Sequence, residues 1–118
     1  MATVVAHNII SPLGFTSEMN YHAIKCGDSS LCFYERAFGT SLSVMASMFD
    51  EAIRKQLQIE GFTWFESLVI QSVRKAIADV GMDVSGKDVC FVLSTTKANV
   101  ESLDTISDEQ VLPGRTAE

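Results

Sequence analysis

The sequence predicts an α/β fold: a mixed or parallel sheet with helices packed on it. Two apolar runs, residues 3–10 and 89–93, are β-branched and continuous enough to read as strands buried on both faces, the second parallel to the first. Between them lies a long amphipathic pattern of helical period. Buried strands flanking helices make right-handed crossovers the expected topology. Hydrophobic residues are 47% and charged residues 20% of the 118, a globular balance in a chain long enough to bury a core without disulfides.

The first run, Thr3 to Ile10, ends at Ser11-Pro12-Leu13-Gly14, where proline removes a ladder donor and glycine permits a turn. Thr16 and Ser17 then offer N-cap hydroxyls, and Glu18 suits the positive end of a helix. A helix over 17–26 follows, closed by Gly27, with Tyr21, Ile24 and Ala23 as its core face. Residues 31–36 read as a short strand broken by Gly39, and residues 41–45 as another. Asp50 is the expected N-cap of a short helix carrying Ile53 and Leu57, which Gly61 ends.

Residues 63–80 give the clearest pattern. Phe65, Val69, Val73, Ala76 and Val80 recur at three and four residues, while Ser67, Gln71, Arg74 and Lys75 cover the other side. Gly81 closes this helix, residues 84–88 turn, and residues 89–93 return to the core, with Val89, Phe91 and Leu93 facing Val73 and Ile77. The tail over residues 98–118 is acidic and broken by Pro113-Gly114. No internal repeat or low-complexity tract divides the chain, so residues 1–118 read as one domain.

Nine basic against fifteen acidic residues give a net charge of −6, which argues against nucleic acid as the partner. The apolar start carries no basic flank and reads poorly as a signal peptide, and no window reaches the length of a membrane span. Three cysteines without CxxC or finger spacing point to reduced thiols in a cytoplasmic protein, with no metal site and no cofactor expected. Cys26 sits at the end of a helix that does not activate a thiol, and Cys90 reads as an inert packing residue. Neither these two nor Cys32 is expected to be a nucleophile. His7 and His22 have no triad-like neighbours and read as structural. The best-placed polar cluster is Ser94-Thr95-Thr96-Lys97, because ligands in open α/β sheets collect at the carboxyl ends of strands. It lacks the glycines of a P-loop, and no GxGxxG, HExxH or GxSxG occurs.

Taken in order, these motifs resemble the amino-terminal part of the β-ketoacyl-acyl-carrier-protein synthases, of the thiolase-like superfamily. Val4-Val5 and Ile9-Ile10-Ser11-Pro12-Leu13-Gly14 resemble their opening strand and turn. Glu18, Tyr21, Ile24, Gly27, Ser29 and Leu31 follow in similar register, and Ala46 to Asp50 resemble the next strand and helix start. The stretch RKAIADVGMD over 74–83 resembles the family's helix end, and residues 89–94 its next core strand. The likeness spans nearly the whole chain. Two departures stand out. Ala6 and Asn8 occupy positions where the family usually carries glycines, and the small-residue context of the family's catalytic cysteine occurs nowhere.

The resemblance implies a partial thiolase-like fold from an acyltransferase performing decarboxylative condensation in fatty acid or polyketide-type biosynthesis. It implies acyl carrier protein and a second copy of the chain as partners. It places Thr95, Thr96 and Lys97 near an acyl pocket as candidate substrate-lining residues, with no catalytic residue assigned. This length alone is expected to be inactive. The alternative is a short non-catalytic dimerisation or carrier-protein-binding module that keeps the same fold opening.

Overall fold

A computed structural model describes residues 1–36, 41–78, 80–81 and 83–100. Among them are three helices and one two-stranded antiparallel sheet, a small mixed α/β arrangement.

The chain starts extended and turns tightly at Ser11–Gly14, whose backbones exchange hydrogen bonds of 2.9 and 3.0 Å. Helix α1, Ser17–Cys26, begins where Thr16 accepts from the Met19 N–H and ends where Gly27 takes the left-handed conformation at φ 80°. That conformation lets Gly27 and Asp28 cap the Ile24 and Ala23 carbonyls, a closure suited to glycine. Strands β1, Leu31–Tyr34, and β2, Val44–Ser47, pair with Phe33 opposite Met45 and Tyr34 opposite Val44. Helix α2, Glu51–Leu57, is capped by the Asp50 carboxylate, which accepts from the Ile53 N–H at 2.9 Å.

Helix α3, Trp64–Ala78, is the longest element. Its start is a reciprocal capping box: the Thr63 N–H donates to Glu66 Oε2 at 2.8 Å, and the Glu66 N–H donates to Thr63 Oγ1 at 3.2 Å. Ser67 ties α3 to the end of α2. Its hydroxyl donates to the Thr63 carbonyl and accepts from the Ile59 N–H and Gln58 Nε2. Beside this junction Trp64 meets Phe49 edge-on at 5.3 Å, and the Arg54 guanidinium lies 5.0 Å from the indole.

The sheet differs from the expected one. The pairing is antiparallel and local, between β1 and β2, not parallel between residues 3–10 and 89–93. Neither of those two runs is a strand, and both are open to solvent: Val4 is 80% and Val92 82% exposed. An apolar run favours burial but supplies only half a ladder, and no neighbouring strand meets either run among the described residues. Cys90, expected as a packed residue, is exposed with the run that carries it. Tyr21 and Ile24, expected to form the core face of α1, are also exposed; Asn20 is the buried residue of that helix.

Leu57 is the one large hydrophobic residue buried among the described residues, whereas Asn20, Ser67 and Asn99 are buried polar ones. Each of the three is held by two or more side-chain hydrogen bonds, as burial of a polar group requires. The structure is therefore organised around local polar knots, with apolar side chains largely uncovered.

Candidate functional site

The polar cluster at 94–97 follows the 89–93 run directly. Thr95 turns its hydroxyl back on the chain, where Oγ1 accepts from the Ala98 N–H at 2.9 Å and the Lys97 N–H at 3.3 Å. Ala98 completes the turn at φ 43°, and the Val100 N–H closes onto the Lys97 carbonyl at 3.0 Å. Thr95, Thr96 and Lys97 all remain exposed. Asn99 alone is buried and anchors the turn: Nδ2 donates to Glu66 Oε1, and Oδ1 accepts from Thr63 Oγ1. The three candidates thus share one surface turn pinned to the start of α3. The part of the tail beyond Val100 lies outside the described residues.

Next to this turn lies an apolar cleft of about 280 Å³. One wall is α3, through Phe65, Val69, Ile70 and Val73, and the other is Phe91 and Leu93. Glu66 and Arg74 line it as well. Of the residues expected to pack together, Val73, Phe91 and Leu93 line this cleft, with open space where direct packing was expected, and Ile77 and Val89 do not line it. None of Thr95, Thr96 and Lys97 lines this space. Sequence reasoning passed over Glu66 and Asn99. The Thr-x-x-Glu spacing at 63–66 is a legible capping signal, but nothing local to Asn99 announces that it will sit on it.

The amino-terminal segment reaches α3 through Asn8, whose Nδ2 donates to Ser72 Oγ at 3.0 Å and to the Phe15 carbonyl at 3.3 Å. His7 Nδ1 lies 2.8 Å from Ser17 Oγ at the exposed start of α1. No carboxylate completes this pair among the described residues. Cys26, Cys32 and Cys90 are exposed free thiols. Among the described residues no group of three His, Cys, Asp or Glu side chains could hold a metal ion, and no helix is long and apolar enough to cross a membrane. Asp83 sits in an exposed turn, where the Ser85 hydroxyl and N–H hold its carboxyl below the usual carboxylate range.

No protein family, no curated protein and no solved structure matches this chain.

Proposed function

We propose that this chain is the amino-terminal portion of a β-ketoacyl-acyl-carrier-protein synthase, a scaffold segment that carries no catalytic cysteine or histidine of its own. One observation carries the reading. The two runs resembling the family's core strands, residues 3–10 and 89–93, are the ones left without a ladder, exposing Val4, Val5, Phe91 and Val92. Such segments suit a sheet whose other strands come from elsewhere. The order of motifs from Val4 to Lys97 adds to this, as does the position of α3 between the two runs: Asn8 bonds to Ser72, and Phe91 and Leu93 face Val73. The finer thiolase-like architecture, with its parallel strands, belongs to this proposal.

In the proposed reaction an acyl group is held as a thioester on a cysteine supplied outside this chain. A malonyl thioester on carrier protein releases carbon dioxide, and its electron pair becomes an enolate. The enolate carbon attacks the acyl carbonyl, the carbon–sulfur bond breaks, and the cysteine leaves as thiolate. This segment would hold the sheet that aims those groups. Thr95, Thr96 and Lys97 are proposed to line the region of the acyl pocket, and a second copy of the chain and acyl carrier protein to be its partners. Three exposed free thiols suit a reducing, cytoplasmic setting.

The test is a condensation assay on the polypeptide as its natural source makes it, supplied with acyl- and malonyl-carrier protein. The reading expects release of carbon dioxide and formation of the β-ketoacyl product. A natural polypeptide that binds carrier protein without turnover would instead establish the non-catalytic module.

A further inference from the structure

The cleft on α3 has a direction. Its helical wall is built from two adjacent rows, 65/69/73 and 66/70/74, each spaced by four residues, so both rows run along one face. From Glu66 to Arg74 that face extends about 12 Å at 1.5 Å per residue. The side chains between are Val69, Ile70 and Val73, with Phe91 and Leu93 opposite. An acid and a base therefore stand at the two ends of an apolar trough.

The two ends are not equivalent. The Glu66 carboxylate accepts from the Thr63 N–H and Asn99 Nδ2, which fix it in place. Arg74 is exposed and has no hydrogen-bond or ion-pair partner among the described residues. An anionic head is attracted at the second end, where the guanidinium can pair a carboxylate through two parallel hydrogen bonds. The volume, about 280 Å³, lies near the lower end of small-molecule pockets. We infer that this cleft is a binding site for a medium-chain carboxylate, with its head on Arg74 and its chain lying along Val73, Ile70 and Val69 toward Phe65. The inference stands apart from the condensing-enzyme reading, because it concerns a free acid on this chain alone and needs no residue from outside.

The experiment is isothermal titration of the 118-residue chain with octanoate, octanol and octylammonium, each below its micelle-forming concentration, with sedimentation in parallel. Octanoate is expected to bind about tenfold or more tighter than octanol, the difference a charge-assisted pair contributes, and octylammonium to show no such gain. Arg74→Gln, an exposed substitution, should erase the preference while leaving octanol binding and circular dichroism unchanged. Val69→Trp should fill the trough and abolish binding of both; Val73→Phe serves where Val69→Trp does not fold. Equal affinities for octanoate and octanol overturn the proposal, as does a preference that survives Arg74→Gln. A chain that binds neither ligand and sediments as an oligomer also overturns it, and makes a second copy the occupant.

Discussion

Asn99 donates from Nδ2 to Glu66 Oε1 at 2.7 Å, and its Oδ1 accepts from Thr63 Oγ1 at 2.6 Å. One carboxamide thereby joins the turn after the 89–93 run to the capping box that starts α3, across 33 residues of sequence. This is the contact that holds the candidate turn at Thr95–Lys97 beside the cleft.

Asn99→Ala should leave Glu66 Oε1 and Thr63 Oγ1 short of a partner and destabilise the chain by about 1–3 kcal/mol. Urea denaturation measures the loss. Hydrogen exchange should show it concentrated at the Ala98 and Val100 amides and at the first turn of α3. A uniform loss across all helices would contradict a local clasp.

Asn20 sets a sharper test, because its Nδ2 donates to the carbonyls of Ile9, Gly14 and Thr16 while its Oδ1 accepts from the Ser11 hydroxyl. Asn20→Asp keeps the shape but turns a donor into a carboxylate oxygen facing carbonyls. It should cost at least as much as Asn20→Ala, about 1–3 kcal/mol at neutral pH, and recover in part on acidification as the carboxyl regains a proton. Thermal melts at two pH values decide this. An Asp variant as stable as the parent at neutral pH would contradict the network.

Gly14→Ala tests close packing at the same turn. An added Cβ would lie 2.5 Å from the Met19 Cβ, so the turn and α1 must separate, at a cost of about 1–3 kcal/mol. Met19→Ala should not rescue it, since alanine retains the offending atom. Rescue in the double variant, read by thermal melts, would place the clash farther out on the methionine.

Asp83 gives a pH prediction with a definite sign. Hydrogen bonds from Ser85 hold its carboxyl below the ordinary value, so the folded turn favours the ionised form. The associated stability is present above the unfolded-state value and is lost as pH falls through the folded one, in the acidic range. Ser85→Ala should move the Asp83 titration upward by NMR. An unmoved titration would show that the Ser85 hydroxyl does not hold the carboxylate.

The elements most legible in the sequence are those whose causes are local. Thr16, Gly27 and Asp50 cap the helices expected of them, because a cap acts within about four residues of itself. The strand at 31–34 falls inside its expected span, whereas the one expected over 41–45 lies at 44–47, where pairing with the first strand sets its register. Asn20, Ser67 and Asn99 were not legible as buried residues, since their partners come from other turns of the chain. The runs at 3–10 and 89–93 show the opposite limit. Their composition calls for burial, but pairing depends on which strands stand beside them. In the candidate site, Thr95–Lys97 stood out as a polar cluster expected to line a pocket and is an exposed turn outside the cleft, while the Glu66–Arg74 trough emerges only once α3 and Phe91 face each other.

The central claim is that these apolar runs belong to a larger condensing enzyme. Intact-mass spectrometry of the natural polypeptide, before and after incubation with an acyl-carrier-protein thioester, tests it most directly. The account predicts a polypeptide longer than 118 residues that contains this sequence and gains one acyl group on a cysteine outside it. An adduct on Cys26, Cys32 or Cys90, or a 118-residue polypeptide that gains nothing, would contradict it.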